Sequence, residues 1–245
     1  MITYLSLSAG GRWFTYLLNK MLAKIPVASI KTVADVGCGV GMKTAQMAEY
    51  FNKADVTGYD FSKPGIAAAT KFHKQKNVHF ASEDITKANY MKQFDLITAF
   101  DFLEHIDDWQ SLLKDLIAVN NHYFMISAPV GRMRAYEVNI GHYRNFKRNE
   151  IETFMESQGY KTVKTYYAGF PFYSPILRNL TNKFYKNYAE TPQAKMSFLG
   201  RRMHDVWYIL FRFFSLKHVG DNFVGLFEKT PVSPRNKRWA SRKSF

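Results

Sequence analysis

Short apolar runs recur along the chain, and acidic or turn residues follow most of them. The first run, residues 33–36, is apolar and β-branched, which is typical of a strand buried in a parallel sheet. The same pattern predicts seven strands, at residues 33–36, 55–60, 77–82, 94–100, 122–127, 161–167 and 221–228. Residues 13–22 instead have helical spacing, with apolar side chains at positions 14, 17, 18, 21 and 22. This mixture, over 245 residues, predicts one α/β domain with insertions.

Three glycines at alternate positions follow the first strand, and residues 44–50 after them have helical character. Glycine lacks a Cβ, so at Gly37, Gly39 and Gly41 the backbone can turn sharply and approach a ligand. A strand, a glycine turn and a helix predict the first half of a βαβ nucleotide site; the alternative is a tight turn without a ligand. The dinucleotide fingerprint would need a glycine at Met42, and the Walker lysine pattern does not occur.

Three strings resemble one enzyme family. The segment from Asp35 to Gly41 resembles the D-x-G-C-G-x-G motif of class I S-adenosylmethionine-dependent methyltransferases. Residues 94–106, F-D-L-I-x-x-x-x-x-L-E-H-I, are similar to small-molecule members, particularly the ubiquinone-pathway O-methyltransferases. Residues 141–146 resemble the G-H-x-R-x-F element that many of these enzymes place over the substrate pocket. The resemblance implies a Rossmann-like, seven-stranded, mostly parallel sheet with helices on both faces, and S-adenosyl-L-methionine as the cofactor.

The resemblance also implies which residues bind that cofactor. The strand acid and the glycine turn would hold its methionine end, the end of the second strand its ribose and adenine, and the end of the third strand its adenine. Asp60 would accept hydrogen bonds from the ribose hydroxyls, although it also stands where it could cap the next helix. The full predicted set is Asp35, Gly37, Cys38, Gly39, Gly41, Asp60, Phe61, Asp84, Ile85 and Phe100.

Two histidines are candidates for the chemistry. A sulfonium methyl is already electrophilic, so the enzyme must align an acceptor and remove a proton from a hydroxyl. His142 and His105 are the predicted bases because imidazole titrates near neutral pH; the alternative for each is a structural role. Asp101, Glu104 and His105 also resemble the E-x-x-E-H metal site of ubiquinone-type enzymes. Aspartate shortens the reach of the first ligand, and we predict that no metal is used.

Charge and cysteine content narrow the function further. The single cysteine, Cys38, lies inside the glycine turn, which excludes an internal disulfide and a cysteine-rich metal site. The net charge is +14, and residues 121–245 hold 21 Lys and Arg against 8 Asp and Glu. In a methyltransferase of this class, this half of the chain would form the binding site for the methyl acceptor. Its positive charge therefore indicates an anionic partner, which could be the acceptor, a membrane surface or nucleic acid. The alternative is that the lysines are solvated and have no partner. We predict Tyr143, Arg144, Arg178 and Trp207 as acceptor-binding residues.

The predicted domain organisation departs from that of the family at one insertion, between the last two strands. Residues 1–169 form an N-terminal helix and the cofactor-binding core, residues 170–218 a helical insertion, residues 219–230 the last strand, and residues 231–245 a mobile basic tail. The predicted helix 201–214 is apolar on most sides, so it is either a lid on its own domain or a surface for lipid or a partner.

The predicted function is S-adenosylmethionine-dependent O-methylation of a small molecule, a carboxylate or a glycan- or lipid-type acceptor. A protein that modifies or binds nucleic acid through its basic half is the alternative, which we do not favour; a noncatalytic scaffold that keeps the fold is a third candidate. The [DNS]-P-P-[YFW] motif of amino-group methylation is missing after strand four. The longest apolar run, residues 206–211, is too short to span a bilayer, so we expect a cytoplasmic protein with peripheral membrane contact at most.

Overall fold

A computed structural model describes residues 8–83, 93–184 and 197–231. Seven strands form one sheet: β1 (Thr32–Val36), β2 (Asp55–Tyr59), β3 (Val78–Ala81), β4 (Phe94–Phe100), β5 (Asn120–Pro129), β6 (Tyr160–Ala168) and β7 (Asn222–Lys229). Their order across the sheet is β3-β2-β1-β4-β5-β7-β6. Strands β3, β2, β1, β4 and β5 pair in parallel, whereas β7 is antiparallel to both β5 and β6. This architecture confirms the predicted mostly parallel Rossmann-like sheet, with each strand end within two residues of its prediction.

Helices connect the strands and cover the sheet. They are α1 (Ala9–Leu22), α2 (Met42–Tyr50), α3 (Lys63–Phe72), α4 (Trp109–Ala118), α5 (Ala135–Asn139), α6 (Glu150–Ser157), α7 (Arg178–Phe184) and α8 (Phe198–Ile209). Helix α1 is capped by Ser8, whose hydroxyl accepts a hydrogen bond from the Gly11 N–H at 3.0 Å. α1 is thus longer at its N-terminus than the spacing of apolar residues predicted.

The strands bury side chains on both faces of the sheet. On one face, Val33 and Val56 pack with α1 and α2, and on the other, Ala34 and Val36 pack with α4 and α6. Trp13 of α1 is fully buried. Each large apolar side chain removed from water in this way stabilises the fold by roughly 1.5–3 kcal/mol. The two layers therefore hold the sheet rigid beneath the ends of its strands.

The insertion lies between β6 and β7. It contains a π-helical turn, Phe172–Leu177, followed by α7, then α8 and a second π-helical turn, Leu210–Phe214. Because β7 runs antiparallel to β5, its first residue, Asn222, pairs with the last residue of β5, Pro129. The insertion is therefore attached at the carboxyl ends of the parallel strands, which is also the end of the sheet that carries the glycine turn.

Candidate active site

A large cavity opens at the carboxyl ends of the parallel strands, where ligands bind in open α/β sheets. Its volume is about 1080 Å³. Its lining comes from α1, the glycine turn, the ends of β4 and β5, α5 and the insertion, and includes Thr15, Asp35, Gly37, Cys38, Gly39, Lys43, Phe100, Asp101, Glu104, His105, Glu137, His142, Tyr173, Arg178 and Tyr208. The strand ends predicted from the sequence therefore converge on one site.

The three positions of the turn require glycine for different structural reasons. All have positive φ angles, 73° at Gly37, 53° at Gly39 and 78° at Gly41. A Cβ would lie 2.3 Å from the Phe102 ring at Gly37 and 2.4 Å from the Phe80 ring at Gly41. At Gly39, by contrast, it would meet no atom of the chain within 4 Å, because this position borders the cavity. Gly39 thus leaves room for something other than protein.

Asp35 and Asp60 fix the two sides of the turn. The buried Asp35 carboxylate accepts hydrogen bonds from the hydroxyls of Thr44 and Thr98, both at 2.7 Å. Burial raises the pKa of Asp35 to about 6, although these two hydroxyls oppose the rise. Asp60 accepts from the N–H groups of Gly39 and Ser62, each at 2.8 Å, so it ties the turn to the start of α3.

Other predicted cofactor residues lie at different depths. Phe100 is buried at the cavity wall, whereas Phe61 is 66% exposed. Cys38 borders the cavity, and burial, with the nearby Asp35 and Asp60 charges, raises the pKa of its thiol. Asp84 and Ile85 lie outside the described residues. The cofactor assignments therefore stay predictions, most of them at the cavity or beside it.

Both candidate bases lie at the cavity, and the structure brings them together. The His105 and His142 rings are 4.7 Å apart in a T-shaped arrangement. Burial, and then the neighbouring His105, lower the pKa of His142 below its ordinary 6.5. Among the described residues, the buried Nδ1 of His142 and the buried Oε2 of Glu104 have no hydrogen-bond partner. Protonation, or a hydrogen bond to a ligand in the cavity, would compensate for the missing partners of these two atoms.

Glu104, His105 and His142 each place one potential ligand atom within 4.8 Å of the others. This trio differs from the one that the sequence motif suggests, because Asp101 instead accepts a 2.9 Å hydrogen bond from the Ser127 hydroxyl. Two imidazoles and one carboxylate are a donor set that suits divalent transition metals. Burial, and then the Asp101 charge, raise the pKa of Glu104 well above its usual value.

Lys43 and Asp101 place opposite charges at the cavity. Asp101 opens onto the cavity, but the surrounding protein desolvates its carboxyl and raises its pKa. Desolvation lowers the pKa of Lys43 to about 8, against the opposing effect of Asp101 and Asp35. The Lys43 ammonium donates to the Thr15 hydroxyl of α1 at 3.1 Å. The sequence analysis did not single out Lys43; its position two residues after Gly41, the last glycine of the turn, was the available signal.

A buried ionic network joins the insertion to the core. Arg178 of α7 is 4% exposed and forms ion pairs with Glu137 of α5 and with Asp221, the latter at 3.3 Å. Asp221 also pairs with the buried Arg134 at 3.4 Å. Arg178 therefore lies at the cavity, as an acceptor-binding residue should, but its guanidinium already has carboxylate partners. The sequence analysis did not identify Glu137, since nothing local marks an acid in a short helix as buried.

The other predicted acceptor residues lie away from the cavity lining. Tyr143 is 60% exposed, and Arg144 donates to the backbone and the side chain of Asp107. Trp207 packs against Phe211, with ring centroids 5.7 Å apart. Three residues that the sequence analysis did not assign, Arg12, Tyr173 and Tyr208, line the cavity instead. Long-range packing of α1 against α8 brings Arg12 and Tyr208 together.

Comparison with known proteins agrees with this geometry. A family model described as a methyltransferase domain matches residues 34–120. The chain is 29% identical over 100 residues to malonyl-[acyl-carrier protein] O-methyltransferase of Bacillus anthracis, covering 41% of this chain and 37% of that protein. It is 32% identical over 120 residues to ubiquinone biosynthesis O-methyltransferase of Coxiella burnetii, covering 48% of this chain and 46% of that protein. The matches thus span less than half the length of these relatives.

Among solved structures, the magnesium protoporphyrin IX methyltransferase of Synechocystis PCC 6803 with bound SAM has the same fold. The TM-score is 0.56 at 13% identity, with 94% of this chain and 86% of that chain covered. The family model spans part of β1, the glycine turn and strands β2 to β4. The structural match extends over nearly the whole chain.

Proposed function

We propose that this chain, which carries a class I methyltransferase domain in a Rossmann-like sheet, is an S-adenosylmethionine-dependent O-methyltransferase of a small acceptor. The observation that carries the proposal is the cavity itself, which is lined by both the glycine turn and the His105–His142 pair. A methyl donor at the turn and a proton acceptor at the pair are the two components that O-methylation needs.

The chain's own residues fit the cofactor. The open space beside Gly39 is a cradle that a side chain would fill. A volume of about 1080 Å³ is at the upper end of the roughly 300–1,000 Å³ of single-ligand pockets, which leaves room for a cofactor and an acceptor together. The relatives matched by sequence are named as O-methyltransferases, and one structural neighbour contains SAM. We assign the methionine end to Asp35 and the glycine turn, and the ribose to Asp60.

The mechanism needs little chemistry from the protein. When bound, S-adenosylmethionine supplies a methyl group that is electrophilic because it is attached to a positively charged sulfur. His142, in its neutral form, would take the proton of the acceptor hydroxyl at a ring nitrogen, so that the hydroxyl oxygen can accept the methyl group as the bond of that group to sulfur breaks. The ionised form of Asp101, which interacts electrostatically with both imidazoles, stabilises the imidazolium that results. An acceptor that is already ionised, such as a carboxylate, needs alignment only.

The described parts of the insertion, residues 170–184 and 197–218, form a cap that selects the acceptor. Tyr173, Arg178 and Tyr208 of this segment line the cavity. Aromatic rings supply contact area for an apolar ring or chain, and Arg12 and Lys43 supply positive charge at the same cavity. We propose an acceptor that combines an apolar body with a hydroxyl or carboxyl group. The nucleic-acid alternative gains no support from the O-methyltransferase names of the matched relatives.

Label transfer tests the proposal. The protein is incubated with methyl-labelled S-adenosylmethionine and, in parallel, with phenols, aliphatic carboxylates and hydroxylated lipids. We expect label on an acceptor oxygen, with much less transfer by His142→Ala. Adding EDTA separates proton removal by histidine alone from an ion held by Glu104, His105 and His142, since only the latter loses activity. Failure to bind the cofactor in calorimetry would overturn the proposal outright.

A further inference from the structure

Helix α8 and the π-helical turn that follows it expose an apolar surface, which we call the outer face: Leu199, Met203, Val206, Ile209 and Phe213. We infer that the outer face is a docking site for an anionic lipid bilayer. The five side chains follow one another at intervals of four, three, three and four residues, so they share one side of the helix. Their exposed fractions are 78, 56, 58, 49 and 68%.

Helix α8 turns its apolar side to solvent, which is the opposite of the usual orientation of a surface helix. A surface helix of a globular protein turns its apolar side to the core and its polar side to water. In α8 the polar side faces the protein instead: Asp205 pairs with Arg12 of α1 at 2.9 Å, and the Arg12 guanidinium lies 4.5 Å from the Tyr208 ring centroid. Phe211 anchors the segment, since it is fully buried against Trp13 and Tyr173. The outer face is thus held outward by specific contacts on the opposite side.

Cationic side chains lie at both ends of the segment that carries the outer face. Arg201 and Arg202 are exposed at the start of α8. Arg212 lies at its far end, with its guanidinium 3.6 Å from the Tyr16 ring centroid. Residues 197–217 contain four Lys and Arg and a single acid, Asp205, which is paired with both Arg12 and Arg202. An apolar strip bordered by cations matches the acyl region and the phosphates of an anionic bilayer.

Charge also distinguishes the bilayer from a second copy of the chain. Two copies meeting at this face would bring their arginines together, in a protein whose net charge is +14. A bilayer instead supplies the opposite charge. Within the described residues, no helix has both the length and the apolar content that crossing a membrane requires, so the docking is peripheral.

Vesicle binding tests the inference without cofactor or acceptor, so its outcome is independent of the proposed methyl transfer. The full chain is sedimented with vesicles of phosphatidylcholine, alone or with about 30% phosphatidylglycerol. We expect binding to the anionic vesicles only, weakened by salt. Met203→Ser with Phe213→Ser should reduce this binding by at least about tenfold, because two buried apolar contacts with lipid are lost.

Val27→Ser with Phe72→Ser is the matched control. These two residues are 44 and 42% exposed on other elements of the core, so the control removes exposed apolar side chains without touching α8. It should bind vesicles as the unchanged protein does, and thermal unfolding should be similar for all three proteins. Absence of vesicle binding, or equal binding by the Met203/Phe213 variant, would overturn the inference. A dimer in solution that this variant dissociates would assign the face to a second copy instead.

Discussion

The His105 and His142 rings meet edge to face, with their centroids 4.7 Å apart, although 36 residues separate them in sequence. Two further contacts hold the two loops together: His105 Nδ1 lies 3.2 Å from the Gly141 carbonyl oxygen, and the Tyr143 N–H donates to the Glu104 carbonyl at 2.8 Å. The pair is therefore built by backbone contacts as well as by its rings. The position of each imidazole depends on the other loop.

Replacing His142 with alanine tests its role as the base. We expect kcat to fall by about 10²–10⁴-fold while the Kd for S-adenosylmethionine stays nearly unchanged, because the proton acceptor is lost and the glycine turn is not. His122→Ala is the control, since His122 pairs with Glu228 at 3.2 Å on another part of the sheet. Near-normal turnover of His142→Ala would mean that His105 is the base, or that alignment of the acceptor is enough without a base.

The pH dependence of kcat/KM follows from the lowered pKa of His142. The base works in its neutral form, and burial together with His105 disfavours the protonated form. Activity should therefore persist as the pH falls through 6.5, the ordinary value for histidine, and decline only below it. In His105→Ala a repulsive neighbour is gone, so the acidic limb of the pH–rate profile should move to higher pH. An unshifted limb would show that His105 does not influence the titrating group.

Gly39→Val tests the cofactor site. The added side chain would project into the open space of the cavity at a residue with φ of 53°, so both bulk and backbone strain oppose cofactor binding. We expect a large loss of S-adenosylmethionine affinity in titration calorimetry. Gly39→Ala is the comparison, because it introduces strain with far less bulk and should lose less affinity. Unchanged affinity in Gly39→Val would exclude this turn as the cofactor site.

Arg178→Ala separates a structural role from acceptor binding. Burial alone would raise the pKa of Glu137, but the hydrogen bond and charge of Arg178 hold it below its usual value. Removing the arginine leaves a buried carboxylate uncompensated, so the free energy of unfolding in urea should fall by about 3–5 kcal/mol at neutral pH. The exposed Arg201→Ala should change it by less than about 0.5 kcal/mol. Unchanged stability of Arg178→Ala with a raised KM for an anionic acceptor would instead indicate direct binding.

The seven strands, the glycine turn and the methyltransferase resemblance were all predictable from the amino-acid sequence alone. These signals are local: a buried strand needs a run of apolar residues, and a sharp turn needs glycine, whatever surrounds it. For the same reason the strand ends could be predicted to within two residues. The position of the cavity followed as well, since the ends of neighbouring parallel strands lie at one edge of the sheet.

Long-range packing, in contrast, sets which polar groups contact one another and which apolar groups are buried. The Glu104–His105–His142 cluster and the Arg178–Glu137 pair join segments that are far apart in sequence, so no local spacing encodes them. Likewise, the sequence shows that this helical segment is apolar on most sides, but it does not show which side faces the protein and which faces solvent. Packing against Trp13 buries Phe211 and leaves Met203 exposed, because burial depends on the surface that each side of the helix meets.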